Sequence, residues 1–343
     1  MTVKITKPAL NLREKLAELD KPSGIAGEAM LRADSVQEQR NLIGAGRKNL
    51  LINGGFDVSQ RGDYTSATSF AENAIFLDRW RTNKGVGSAT VQQLDRGINL
   101  VATAAYTGVL AVRQRIERKN INHLLGSTMT LSAWVKSNDS NASVMLYDNP
   151  WKSERDTHSG NGQWEKLSIT FTYDSNVEGP TGYAIMAQVG IDGVGSGNVA
   201  IANGAYVEIK NVQLELGSVA TEFDHRSYGE ELALCQRYYR YYGDDAYTTR
   251  LDTCMSWTNN LAMLVIPFPT EMRGAPSLTY SGSNAISIEK AGASYTSTVV
   301  AANVLSPKSC SLIVTIATTS LTPNYTYMSS ISAGKYIAFD AEL

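Results

Sequence analysis

Residues 129–137 read MTLSAWVKS, and so strict an alternation leaves the backbone little choice. Met129, Leu131, Ala133 and Val135 fall on one side and Thr130, Ser132, Trp134 and Lys136 on the other, the period of a half-buried strand. KLSITFTYD (166–174) repeats the pattern, with Leu167, Ile169, Phe171 and Tyr173 as the inward set, and SVMLYD and YAIMAQVGID continue it. In YVEIKNVQLELG (206–217) the apolar phase runs Val207, Ile209, then Val212, Leu214, Leu216. That slip of one residue marks a β-bulge and a bent strand. NLLINGGFDVSQRG reads as an apolar strand that breaks at Gly54-Gly55. Many short strands without a long helix predict a mainly β chain, with an antiparallel sandwich over residues 49–226.

Two segments depart from this texture. LNLREKLAEL places Leu12, Leu16 and Leu19 at helical spacing. DSVQEQRNLIGAG offers a second short helix carrying Leu42, with Ser35 and Glu38 as a capping box and Gly44 at its end. Helices this short are unstable alone, so residues 1–48 need another copy or a docking site. SYGEELALCQRYYRYYG (227–243) reads as a linking helix, with Leu232, Cys235 and Tyr239 in one stripe, Tyr238 and Tyr242 beside it, and Gly243 ending it. Its tyrosines are expected to bury against a neighbouring domain or chain, with Arg237 and Arg240 pairing Glu231 and Asp244. The strands beyond it, such as NLAMLVIPFP, AISIEK and SCSLIVTIATTS, predict a smaller distal β-sandwich, the unit then spanning residues 227–343.

The formal net charge of −2 argues against a polybasic nucleic-acid binder. CQRYYRYY could stack bases, but EE precedes it and DD follows, so no nucleic-acid partner is expected. Cys235, Cys254 and Cys310 are scattered without metal-ligand spacing, and no apolar run is long enough to span a membrane. Synthesis in a cytoplasm without membrane insertion is the expectation. No nucleophile elbow, zinc helix or phosphate loop is present, so an enzyme is not expected. Asp148, Glu154 and Asp156, near Trp151, keep a polysaccharide-cleaving alternative open, because glycoside hydrolysis needs only two spaced carboxylates.

NLLINGGFDVSQRG followed by FLDRWRT (76–82), then the strands, then VQLELGSVATEFDHRSYGEELALCQRYYRYY, resembles the recurring module of bacteriophage tail fibres and other virion appendage proteins. GIAGEAMLRADSVQEQRNLIGAG is similar to the virion-attachment end of such fibres in phages of cyanobacteria and other aquatic hosts, and IPFPTEMRGAPSLTYSG to their distal part. The layout of residues 49–226 is similar to carbohydrate-binding jelly rolls. In those folds NGGFD would lie beside VQLELG, and relatives often hold a structural calcium there. Asp57 and Glu215 are the carboxylates this chain would offer.

The resemblance implies a homotrimeric structural virion protein, joined to other tail proteins through residues 1–48 and adsorbing to a host-surface glycan by many weak contacts. No cofactor beyond that calcium is implied. Aromatic rings stack on sugar faces, so the glycan-binding candidates are Trp134, Trp151 and Trp164 in the sandwich. Tyr280, Tyr295, Tyr325 and Tyr327 are the candidates in the distal unit. The alternatives are a purely structural collar or baseplate-associated fibre and a depolymerase spike.

Overall fold

The alternating segments pair into two facing antiparallel sheets in the computed structural model, which describes residues 48–85, 87–148, 153–174, 182–193 and 197–342. The helices expected within residues 1–48, and with them Leu12, Leu16, Leu19 and Leu42, lie outside the described residues. So does Trp151. Among the described residues no helix is long and apolar enough to cross a membrane.

One sheet has six strands, in the order β1 (Thr68–Ser69), β3 (Ala89–Leu94), β4 (Gly97–Ala102), β13 (Tyr206–Leu216), β7 (Thr128–Ser137) and β10 (Trp164–Thr172). The other has five, in the order β2 (Arg81–Asn83), β6 (Leu110–Glu117), β11 (Tyr183–Ile191), β8 (Ala142–Asp148) and β9 (Ser153–Thr157). A two-stranded ribbon joins β12 (Val199–Ile201) to β5 (Tyr106–Gly108), and a four-residue helix α1 (Arg118–Ile121) follows β6. The inward sets of both sheets, Leu131, Val135, Leu167, Phe171, Val207 and Leu214 facing Val112, Ile116, Val144, Leu146 and Val189, share one core. This is the antiparallel sandwich that the alternation predicts, in the jelly-roll form that the resemblance implies.

The slip in β13 is a register shift between Lys210 and Gln213 on the β7 side. Asn211 takes it up at φ 54°, a left-handed conformation that Asn tolerates better than most residues. The apolar strand expected at Asn49 does not form. Asn49, Leu51 and Asn53 are instead a buried irregular segment beside β13. Asn49 holds it there: its Oδ1 accepts from the Leu51 and Leu214 N–H groups, and its Nδ2 donates to Val212 O at 3.0 Å. Two backbone bonds, Leu50 N–H to Leu214 O at 2.8 Å and Val212 N–H to Gly54 O at 3.0 Å, complete the attachment without a regular ladder. Glu154 and Asp156 lie on the edge strand β9.

The linking helix is shorter than its sequence suggests. α2 covers only Tyr228–Cys235, started by a capping box between Ser227 and Glu230. Tyr239–Asp244 is a strand, β14, paired antiparallel to β22 (Lys335–Asp340), with β17 (Ser277–Tyr280) on the far side of β22. RYYRYY satisfies a period of two as well as a helical one, and tyrosine favours strands; a waiting β22 edge decides between them. Six further strands close into a barrel: β15 (Thr249–Ser256), β16 (Leu261–Pro267), β20 (Ser309–Ile316), β19 (Ala293–Leu305), β18 (Ile286–Lys290) and β21 (Thr326–Ile331). The distal β-unit therefore takes the form of a closed barrel with a small sheet beside it, around its own core of Leu264, Ile288, Leu312, Val314, Ile331 and Phe339.

Between the two cores lies a buried ionic and aromatic seam. Tyr238 is buried among Met145, Tyr147, Tyr183 and Met186 on the outer side of the five-stranded sheet, and its hydroxyl donates to Glu117. Arg237 pairs Glu117 at 3.1 Å, and Arg79, stacked 3.6 Å over the Tyr238 ring, pairs Glu342. Arg61 lies 3.7 Å over the Tyr239 ring and pairs Asp340 at 2.8 Å. The pairing expected of Arg237 and Arg240 with Glu231 and Asp244 is not made. Glu231 pairs Arg226, while Arg240 turns into the distal unit and donates to Thr270 O at 2.9 Å. Tyr242 likewise faces the barrel core, edge-on to Phe339. Strand geometry explains this, because alternate residues of β14 must point to opposite sides.

One buried acid gives the sandwich a pH dependence. Asp192 follows β11, where Ser143 and Gln188 donate to its carboxylate, yet burial pushes its pKa up to about 6. A raised carboxyl pKa means that the folded state holds the proton more tightly. The stabilisation is complete below the unfolded value near 3.8 and is lost as pH rises through about 6. We expect Asp192 to make the protein about 2–3 kcal/mol more stable at pH 4 than at pH 7. Urea unfolding of Asp192→Asn should lack this component; an unchanged pH profile in the variant would remove Asp192 as its source.

Candidate functional site

The outer face of the six-stranded sheet is closed at one end and open at the other. At the closed end residues 217–224 fold over it. Thr130 Oγ1 donates to Gly217 O at 2.7 Å, and the buried Glu215 carboxylate accepts from Gln213 Nε2 (2.8 Å), Thr221 N (2.9 Å) and Thr221 Oγ1 (2.6 Å). Glu215 is thus fully engaged by its own loop. Asp57 is exposed and keeps a raised pKa from partial desolvation, opposed by Arg96 and His225. The two carboxylates have separate surroundings, and among the described residues no group of three His, Cys, Asp or Glu side chains could hold a metal ion. The chemistry expected for calcium, several oxygen ligands converging, is not assembled by this pair.

At the open end, pairing across strands brings together side chains distant in sequence. Trp134 on β7 stands opposite Lys166 on β10 and Lys210 on β13. One row along, Trp164 stands opposite Lys136, which faces Glu208, which faces Asn99. Trp134 and Trp164 are therefore diagonal neighbours on adjacent strands, a relation that places such residues roughly 7–8 Å apart and within reach of aromatic side chains.

Lys136 Nζ donates to Glu208 Oε1 at 2.8 Å, and that bond raises the lysine pKa. Lys210 Nζ sits 4.0 Å over the Trp164 ring and anchors it. Trp134 is 37 % exposed, an unusual position for a tryptophan in the middle of a strand. Asn99 Oδ1 is shielded from solvent and has no hydrogen-bond partner among the described residues. A flat ring bordered by an ion pair and amides can stack on an apolar ring face and hold its hydroxyls.

The distal candidates are dispersed. Tyr327 is not a tip contact: it is buried in the barrel core and its hydroxyl accepts from Thr322 N at 2.8 Å. Tyr280 and Tyr295 are half-buried against the same core. Tyr325 is exposed, edge-on to Tyr327 at 5.1 Å and capped by Lys290. Of the carboxylates kept for a cleaving role, Asp156 accepts from its own neighbour Thr157 N and from Ser168 N, structural bonds at a sheet edge. Lys136, Glu208 and Lys210 were not singled out from sequence. Their alternation in VKS and YVEIK was visible, but only register reveals that they flank the tryptophans.

No family model matches the chain, and no curated protein matches it. Solved structures similar to part of it include TmCBM61 in complex with beta-1,4-galactotriose, at 15% identity and TM-score 0.31, covering 50% of this chain and 100% of that one. They also include the CBM22-1 xylan-binding domain of Paenibacillus barcinonensis Xyn10C, at 13% identity and TM-score 0.25, covering 46% and 99%. A cyclase from Fischerella sp. TAU in complex with 4-(1H-indol-3-yl)butan-2-one is similar at 11% identity and TM-score 0.33, covering 51% and 100%. At such identities and scores the likeness says nothing of what the open face binds.

Proposed function

We propose that the open end of the six-stranded sheet binds glycan without cleaving it, Trp134 serving as the stacking platform and Lys136 and Glu208 meeting hydroxyls. The observation that carries this reading is the exposed Trp134 beside Trp164, on a face otherwise lined by polar side chains. In this proposal the chain acts as an adsorption protein of the tail-fibre kind. It works as a homotrimer at a virion surface, docked to other tail proteins through residues 1–48, and gains avidity from repeated weak sites. The motifs NLLINGGFDVSQRG and GIAGEAMLRADSVQEQRNLIGAG support that placement.

Titration of the full chain against a panel of neutral oligosaccharides tests the binding reading, with sugar release followed in the same tubes. Saturable binding without release is the expected result. Turnover would favour the depolymerase reading, and the absence of any saccharide ligand would favour the structural-fibre reading. Light scattering tests assembly separately: a stable monomer at micromolar concentration would contradict the trimer.

A further inference from the structure

The charge around the exposed tryptophan is not balanced. In the row that crosses Trp134, Lys210 on β13 stands on one side and Lys166 on β10 on the other. The two lysines are two strand spacings apart, about 9–10 Å at their Cβ atoms, with Trp134 between them. One row along, Lys136 and Glu208 neutralise each other in a 2.8 Å ion pair. Neither flanking lysine has such a partner. Among the described residues, Lys166 Nζ donates only to the carbonyls of Thr221 (3.0 Å) and Ala220 (3.4 Å), and Lys210 Nζ meets only the Trp164 ring, at 4.0 Å. The Lys210 contact spans β7, so a positive charge sits on the strip that carries both tryptophans.

Neighbouring carboxylates are engaged by other groups. Glu165 projects to the opposite side of β10 from Lys166, where it accepts from Ser159 and Asn161. Asp156 on β9 accepts from the Thr157 and Ser168 N–H groups, and Glu215 at the closed end is held by Gln213 and Thr221. A chain of formal net charge −2 thus gathers two unmatched ammonium groups beside an exposed aromatic ring.

We infer that the open face selects an acidic saccharide, one sugar ring stacking on Trp134 while the anionic substituents are drawn to Lys166 and Lys210. The inference rests on the glycan reading of this same face and adds the charge of the ligand. Lysine is a compact point charge without the guanidinium fork, so the face reads negative charge, as a carboxylate or as a sulfate ester, rather than planar geometry. A nucleic-acid strand fits less well. It needs a continuous basic track with successive stacking rings, and here Glu208 interrupts the lysines.

The test is titration calorimetry of the full chain with two matched pairs. Trigalacturonate is set beside its methyl ester, and a sulfated galacto-oligosaccharide beside its desulfated form, with oligothymidylate as a further arm. The acidic member of at least one pair should bind about tenfold more tightly than its neutral partner, about threefold for each lysine. That preference should shrink in high salt. It should fall to about one in the double variant Lys166→Gln, Lys210→Gln, and Trp134→Ala should weaken both members of the pair. Equal affinity within both pairs would overturn the inference and leave the glycan reading standing. Acid binding indifferent to the lysine and Trp134 substitutions would place the anion elsewhere and overturn it too. So would oligothymidylate binding as tightly as the acidic sugar, the mark of a nucleic-acid surface. Absence of binding in every saccharide arm would also overturn it, and the neutral panel would then decide the glycan reading alone.

Discussion

Arg79→Ala should lower the stability of the full chain by about 3–5 kcal/mol, the largest single loss expected outside the hydrophobic cores. The Arg79 side chain is only 3% exposed and Glu342 5%, so truncation leaves a buried carboxylate with only the more distant Arg61, at 3.5 Å, as counter-charge. Arg79 also covers the Tyr238 ring and donates to Arg115 O within the sandwich at 2.7 Å, so two contacts across the seam and one beside it disappear together. The loss should be visible in calorimetry as a lower and broader transition, the sandwich and barrel beginning to unfold separately. A paired replacement, Arg79→Met with Glu342→Gln, should recover most of the stability, since a buried ion pair replaced whole is often near neutral. If Arg79→Ala proves harmless, the seam is not what couples the two cores.

The second large effect is on binding. Replacing Trp134 and Trp164 together by alanine should weaken saccharide affinity about thirtyfold, roughly 2 kcal/mol, as for central aromatic anchors elsewhere. Both side chains project away from the core, so the double variant should unfold within about 0.5 kcal/mol of the wild type. Lys210→Ala should reproduce a smaller part of the loss by freeing the Trp164 ring that its ammonium anchors. Titration calorimetry with the best saccharide of the panel measures all three. Full affinity in the folded double variant would remove the face from consideration.

How legible was this in the sequence? The inward sets of β7 and β10 and the bulge of β13 were, because alternation is local and the core enforces it on every strand. The barrel closure was not, since which strand edges meet depends on register and on distant partners. QRYYRYY shows the same limit from the other side. Its spacing fits a helix and a strand alike, and the free edge of β22 resolves it. The choice then redistributes the side chains, Tyr239 toward Arg61, Arg240 and Tyr242 into the distal unit. Trp134 could be assigned to an outer face from its strand alone, but not its diagonal relation to Trp164 or its place opposite Lys166 and Lys210. Arg81 and Arg113 are likewise far apart in sequence until β2 pairs with β6.

The most direct test of the glycan face is the indole N–H spectrum of the full chain during saccharide titration, assigned by single tryptophan variants. Trp80 is buried and donates to Asn53 O at 2.7 Å, and Trp257 is exposed on the distal unit, so both serve as internal references. Trp134 and Trp164 should shift together along one saturation curve while Trp80 and Trp257 stay fixed. Saturable binding that moves Trp257, or leaves Trp134 and Trp164 unmoved, would place the ligand elsewhere and contradict the account.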